Sequence, residues 1–170
     1  TDVPELVGVA RPALLLVNDD DLTYCSMRLD PYSLATVTAD LGKVAESLPR
    51  ALIWAAAWDM TRDGEMPTRD YLALVLSAID AESDIGLVQS IQRQVRRALE
   101  IYADPAWAPN GWRAWADKTL EALRAATPGS DHQLAWAHAF LGAATSPDHV
   151  RVAEQLLSGE AAIEGPPQVG

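Results

Sequence analysis

Residues 34–64 read LATVTADLGKVAESLPRALIWAAAWDMTRDG and carry the clearest helical pattern of the sequence. Its second half predicts a helix from near Pro49 to Gly64, because proline suits a first helical turn and glycine a C-terminal stop. Residues 52–58 are apolar on almost every side, which predicts packing neighbours on both flanks. Its first half predicts a separate helix, because its apolar residues recur in steps of three and four and form one stripe: Leu34, Val37, Leu41, Val44 and Leu48.

The helical period continues beyond this stretch, with turn residues between the segments. The fourth helix ends before Asp104-Pro105, since proline disfavours helix in the residue preceding it. Pro109-Asn110-Gly111 is interpreted as a turn. Ser130 followed by Gln133 matches a capping box. The five further helices are predicted to begin near Thr68, Ser83, Trp112, Ser130 and Ser146.

Seven helices joined by short links are typical of antiparallel pairs stacked as an α-solenoid or a helical bundle. The predicted fold is therefore mainly α, with a helical domain over residues 31–159. Gly159 is expected to stop the last helix, and residues 160–170, which lack periodicity, are expected to form a loose tail. The six tryptophans are interpreted as core residues rather than as a ligand site.

The first 30 residues differ from the rest and predict a β-hairpin ahead of the helices. Ala13 to Val17 is a compact apolar run, residues 18–21 have a turn composition, and residues 22–29 alternate like a half-buried strand. Two strands alone are marginally stable. Residues 1–30 are therefore expected to pack on the helices or to belong to a sheet that a preceding segment completes.

Composition narrows the range of partners. The 170 residues contain 13 basic and 24 acidic side chains, a net charge of −11, which disfavours nucleic-acid binding. No run approaches the roughly 18 apolar residues that a membrane span needs, and the N-terminus does not resemble a signal peptide. A single cysteine, Cys25, excludes an intrachain disulfide and favours a cytoplasmic location. The missing initiator methionine suggests a piece of a longer protein.

The histidines and carboxylates of the sequence form no pattern that predicts a catalytic, cofactor-binding or metal-binding residue. The three histidines, His132, His138 and His149, lack the one-turn spacing of a helical zinc site and are interpreted as surface or capping residues. Residues 18–29 lack the glycine and glutamate of a calcium loop. Two carboxylate pairs have acid–base potential but more commonly lie at helix ends or on the surface: Asp59 with Asp63, and Glu82 with Asp84.

A basic cluster in the fourth helix leaves two interpretations open. Arg93, Arg96 and Arg97 lie close together, with Arg93 and Arg97 one helical turn apart. The simpler interpretation is a solvated face. The alternative is a surface that binds a carboxylate or a peptide backbone, which suits the forked geometry of arginine.

The end of the predicted hairpin resembles the M1 family of zinc aminopeptidases, in its actinobacterial branch. In that family an apolar strand ending in Asn, a turn and the pattern Gly-Tyr-Tyr-Arg-Val-x-Tyr-Asp close a β-sandwich domain, and a helical C-terminal domain follows. Asn18, Tyr24 and Asp30 stand at matching spacing. The match is partial, since Thr23, Cys25 and Ser26 replace the family's Gly, second Tyr and Arg.

A second stretch is similar to the family's helix Arg-x-x-Leu-Ile-Asp-Asp-Ala-Phe-x-Leu-x-x-x-Gly. Ala55 and Ala56 replace its Asp pair, and Glu82 with Asp84 stands where that domain usually carries an acidic pair. The resemblance spans about residues 5 to 160. The matching positions of this helix are Arg50, Ile53, Trp54, Ala57, Trp58, Met60 and Gly64.

The resemblance implies a parent enzyme that releases N-terminal residues from peptides with a zinc-bound water and a Glu base. Those groups are expected upstream, in the catalytic and β-sandwich domains of the same chain, and not in these 170 residues. The helical domain is expected to cover the active site and to shape the access of peptides. The alternative function is a stand-alone α-helical interaction module without an enzyme context.

Overall fold

The computed structural model describes residues 3–161, and within them the chain is mainly helical with no strand. This confirms the predicted class and the number of α-helices in that part. Short 3₁₀ turns follow α1 and α3, and a π-turn, Ala98–Tyr102, follows α4. The helices are α1 Pro31–Asp40, α2 Ser47–Arg62, α3 Thr68–Ala78, α4 Ile85–Arg97, α5 Ala108–Ala125, α6 Asp131–Ala143 and α7 Pro147–Ser158.

The helices contact one another in two rows. Helix α1 packs on α3 and α3 on α5, while α2 packs on α4 and α4 on α6. Contacts of α2 with α3 and of α5 with α6 join the rows. One buried apolar cluster takes side chains from α1 to α6, and its largest fully buried members are Trp54, Tyr71, Trp115 and Phe140. The apolar stripes therefore meet in one continuous core.

The tryptophans are core residues, as predicted. Trp54, Trp115 and Trp136 are buried. The other three are partly buried and pack against the same cluster: Trp58, Trp107 and Trp112. Trp115 and Trp136 meet edge to face, with ring centroids 6.3 Å apart, a preferred arrangement for aromatic pairs.

The first helix ends earlier than its apolar stripe predicts. Helix α1 stops at Asp40, residues 41–43 form a 3₁₀ turn, and Val44 is extended. After this break, the backbone carbonyls of Val44 and Ala45 accept hydrogen bonds from a side chain of the next helix. The Arg50 guanidinium donates to them at 2.8 and 2.9 Å. The continuous helix expected from residue 34 to residue 48 is therefore wrong.

Two helix starts also differ from the predictions. Helix α2 begins at Ser47, so Pro49 is its third residue, and α5 begins at Ala108, so Pro109 is its second. Neither proline breaks its helix, because the first-turn N–H groups have no intrahelical acceptor. The interpretation of residues 109–111 as a turn is wrong. Capping at Ser130 and Ser146 is confirmed, since each hydroxyl accepts from the backbone N–H three residues later.

The predicted β-hairpin has no assigned strand between residues 3 and 30. The turn itself is ordered by Asn18, whose side-chain amide donates to the carbonyl of Thr23 at 2.8 Å and accepts from its N–H at 2.9 Å. No backbone hydrogen bond joins residues 13–17 to residues 22–29 on the two sides of this turn. Most of the predicted tail, residues 162–170, lies outside the described residues.

The N-terminal segment is anchored on the helices by side chains. Met27 and Leu29 are buried in the core. Arg28 forms ion pairs with Asp63 and Glu65 beyond the end of α2. On α1, the Ser33 hydroxyl accepts from the N–H of Leu15 at 3.0 Å. One of the two expected arrangements, packing on the helices, is therefore present.

Candidate functional site

The carboxylate pairs considered for acid–base chemistry are engaged in structural contacts. Asp59 contacts Ser26 and Arg62, and Asp63 contacts Arg28. The second pair is equally engaged. The Glu82 carboxylate accepts from Arg50 Nε at 3.0 Å and from Trp54 Nε1 at 2.8 Å, and the Asp84 carboxylate caps α4 through the N–H of Leu87.

The histidines lie apart and serve different contacts. His132 Nε2 lies 3.1 Å from the carbonyl oxygen of Ser83. His149 is buried, with Nδ1 2.8 Å from the Ser146 hydroxyl and Nε2 2.8 Å from Asp117. Among residues 3–161, no group of three or more His, Cys, Asp or Glu side chains is placed to hold a metal.

Ser146, His149 and Asp117 form a Ser–His–Asp chain whose geometry indicates capping rather than nucleophilic catalysis. The Ser146 hydroxyl already accepts from the N–H of His149 as the N-cap of α7. When neutral, the imidazole therefore accepts from this hydroxyl at Nδ1 and donates from Nε2 to Asp117. In nucleophilic triads the base contacts the serine through Nε2 and the carboxylate through Nδ1. Here the contacts are reversed and tie α7 to α5.

A cavity of about 280 Å³ lies where α4, α5 and α6 meet. Its apolar part combines two indole rings of α5 with small residues of α6 spaced four and three apart, hence on one face: Trp112, Trp115, Ala135, Ala139 and Gly142. Small side chains on that face leave the space open. Its polar part comes from α4 and from one residue of α6: Gln89, Gln92, Arg93, Arg96 and His138.

The cavity lining has a charge opposite to that of the whole chain. None of its ten lining residues, all within the described part of the chain, is acidic, although the net charge is −11. Arg93 and Arg96 are exposed, and Arg96 Nε donates to Glu100 at 2.8 Å. The basic cluster found in the sequence therefore borders a cavity, with Arg97 outside its lining.

Comparison with known proteins places the chain in a family. Residues 14–168 match the family described as ERAP1-like C-terminal domain. The chain belongs to this family. This match and the aminopeptidase relative described below together confirm the predicted resemblance to the C-terminal part of an aminopeptidase. Helices α1 to α7 and the cavity between α4, α5 and α6 therefore belong to an ERAP1-like C-terminal domain.

A relative from Streptomyces lividans named Aminopeptidase N is 59% identical over 165 residues. The match covers 97% of this chain and 19% of the relative, so this chain spans about a fifth of the length of that protein. Within residues 3–161 no helix is both long enough and apolar enough to cross a membrane.

The cavity of the ERAP1-like C-terminal domain was only partly visible in the sequence. Arg93 and Arg96 form a local cluster that sequence reading finds, and the carboxylate-binding alternative pointed to them. His138 and the small residues of α6 lie 39 to 49 positions away from these arginines along the chain. Nothing local marks them as neighbours of α4, because the packing of α4 on α6 brings them together.

Proposed function

We propose that this chain is the helical domain of a zinc aminopeptidase, which covers the active site and controls the access of peptides without catalytic residues of its own. The observation that carries the proposal is the 59% identity to a protein named Aminopeptidase N over 97% of the chain. In this proposal the zinc ligands and the Glu base belong to the remaining four-fifths of the polypeptide. A stand-alone interaction module is disfavoured by the same match.

Residues 1–30 are proposed as the junction with an upstream β-sandwich domain and residues 31–159 as the helical domain. The exposure of the junction supports this division, because large apolar side chains lie uncovered there. Val7 is 82% exposed, Leu22 is 85% exposed and Tyr24 is fully exposed. The concentration of exposed large apolar side chains in this one segment favours a contact site there. Pairing with an upstream sheet would also complete the strands that the sequence predicts.

The two rows of contacting helices support the predicted solenoid arrangement. In a solenoid, each helical pair contacts only its neighbours and the stack presents an extended face. The contacts of α1 with α3, of α3 with α5, of α2 with α4 and of α4 with α6 follow that order. We propose that one extended face of the stack turns towards the active site of the parent enzyme.

The first experiment tests where the chemistry resides. The purified chain is expected to bind no stoichiometric zinc and to leave an amino-acid anilide intact, whereas a polypeptide that also carries the upstream sequence hydrolyses it. Stoichiometric zinc together with anilide hydrolysis by the chain alone would falsify the proposal. Metal analysis and release of the aniline chromophore are the two measurements.

A second experiment tests the covering role. In the longer polypeptide, removal of residues 31–159 is expected to change the relative kcat/KM for long peptides and for the small anilide. A domain that covers the active site discriminates by substrate size, whereas a domain needed only for stability alters both substrates alike. An unchanged ratio in a folded, zinc-loaded variant contradicts the covering role.

A further inference from the structure

Helix α7 has fewer buried side chains than any other α-helix within residues 3–161. Its twelve residues include one, His149, whereas the eleven residues of α3 include six. Val150 and Leu157 are exposed, and three further apolar residues of α7 are only partly buried. Because most of the stability of a short helix in a protein comes from packing of its apolar face, α7 gains less from packing than the helices of the core.

The one buried side chain of α7 is an imidazole that contacts two other helices. His149 Nε2 lies 2.8 Å from the Asp117 carboxylate of α5. The ring also meets Phe140 of α6 edge to face, with centroids 6.1 Å apart, and Phe140 is fully buried. The other side-chain hydrogen bonds of α7 among residues 3–161 stay within that helix or its N-cap. A single imidazole therefore provides the polar attachment of α7 to the helices described.

A cavity of about 430 Å³ separates the beginning of α7 from the beginning of α5. The Ser146 hydroxyl that contacts His149 Nδ1 belongs to its lining, so the cavity lies beside the histidine. Side chains that face such a space lose van der Waals contacts on that side. The lining consists of Pro109, Asn110 and Arg113 of α5 and of Thr145, Ser146 and Pro147.

We propose that α7 opens as a separate unit while α1 to α6 stay folded, and that the His149–Asp117 hydrogen bond is the latch that holds it closed. Local opening occurs where few apolar contacts resist it. Sparse burial, one polar attachment and the adjacent cavity all lie on α7. Opening uncovers the ring of Phe140, so the open state exposes apolar surface that the closed state buries. This inference concerns the chain itself and does not depend on a role in an aminopeptidase.

Native-state hydrogen exchange of the 170-residue chain, followed by NMR, tests the separate opening. Amides of residues 151–157 in α7 are expected to be at least about tenfold less protected than amides of residues 72–78 in α3. Low concentrations of urea are expected to change α7 exchange little, because opening of one helix exposes little surface, and to accelerate α3 exchange steeply. Equal protection, or equal dependence on urea, in the two helices overturns the separate opening.

Substitutions on α5 test the latch. Asp117→Ala is expected to accelerate exchange in α7 at least about fivefold, because the buried imidazole N–H loses its acceptor. Asp117→Asn keeps an oxygen acceptor and is expected to accelerate it less. Glu121→Ala is the matched control, since it removes an exposed carboxylate one turn further along α5, 3.9 Å from Lys118, and is expected to change α7 exchange less than about twofold.

Circular dichroism verifies that each variant is folded. An acceleration by Asp117→Ala no larger than that by Glu121→Ala overturns the latch, and so does an equal acceleration by Asp117→Asn and Asp117→Ala. The readout is exchange by the chain without substrate or upstream sequence. Failure of the latch is therefore distinguishable from failure of the covering role.

Discussion

Glu82 is the residue whose sequence signal differs most from its structural role. It belongs to an acidic pair that suggests acid–base chemistry, yet its side chain is only 1% exposed and joins α2 to the turn after α3. Its partners are Arg50 and Trp54, some 30 residues away along the chain. A carboxylate at this depth requires such partners, since burial of an unpaired charge is costly.

The Glu82→Gln variant is expected to lower the free energy of unfolding by about 3–5 kcal/mol, because it leaves the Arg50 charge buried without its counter-ion. Urea unfolding followed by circular dichroism measures the change. Replacement of both partners, Arg50→Met with Glu82→Leu, is expected to cost less than the single change. Lys43→Gln, which removes an exposed ion pair with Asp40, serves as the control and is expected to cost less than about 0.5 kcal/mol.

Asp30 links the N-terminal segment to α1 and makes this link sensitive to pH. Its carboxylate accepts from the Ser33 hydroxyl at 2.6 Å and pairs with Arg11. The hydrogen bond from Ser33, more than the charge of Arg11, holds the pKa of Asp30 below its usual value. Because the folded-state pKa is the lower one, the stabilisation is complete above about pH 4 and is lost as the pH falls through the folded-state value.

Ser33→Ala is therefore expected to raise the pKa of Asp30 more than Arg11→Gln does, because the hydrogen bond is the larger cause. An NMR titration of the Asp30 carboxyl carbon measures both variants. Asp30→Asn is expected to make the unfolding free energy less dependent on pH below about pH 4. A larger shift from Arg11→Gln than from Ser33→Ala contradicts this assignment.

At the scale of elements, the sequence predicted those helix ends that depend on residues close together along the chain. The caps at Ser130 and Ser146 and the left-handed Gly159 after α7 follow from side-chain and backbone preferences within four residues. The break after α1 does not, because the carbonyls it frees are satisfied by Arg50 of the next helix. The spacing of apolar residues in one helix cannot predict that a side chain of another helix will donate hydrogen bonds to the connecting backbone.

Two helical glycines are predicted to respond in opposite ways to alanine. A Cβ at Gly111 in α5 would meet Leu99 Cδ2 at 2.6 Å and the Trp107 ring at 2.9 Å, which requires the packing around the π-turn to shift. A Cβ at Gly142 in α6 meets nothing within 4 Å. Alanine at Gly142 therefore tests helix propensity alone, whereas alanine at Gly111 tests helix propensity together with overpacking.

Gly111→Ala is expected to destabilise the chain by about 1–3 kcal/mol, because the clash outweighs the gain in helix propensity. Gly142→Ala is expected to stabilise it by about 0.5–1 kcal/mol, since alanine loses less backbone entropy on folding. Thermal unfolding of the two variants beside the parent chain is the measurement. Stabilisation by both variants refutes the close approach of Leu99 and Trp107 to α5.

At the scale of the molecule, helix number and composition predicted the class, whereas the cavity required the tertiary structure. Its lining residues come from three helices between residues 89 and 142, and only the arginine pair stands out locally. The predicted hairpin also depends on contacts that the sequence alone does not supply. The alternation over residues 22–29 is a genuine strand pattern, but a strand forms only when a partner supplies the ladder hydrogen bonds.

Cys25 allows a direct test of whether an upstream domain covers the N-terminal segment. Its thiol is exposed and is the only one in the sequence, beside the fully exposed Tyr24. In the isolated chain, this thiol is expected to react with Ellman's reagent as fast as in urea-unfolded protein. In a polypeptide that carries the upstream sequence, we expect at least a tenfold slower reaction, because the covered thiol reacts only during local opening. Upstream cysteines replaced by serine keep the readout specific, and equal rates in both proteins would exclude residues 22–25 from the proposed junction.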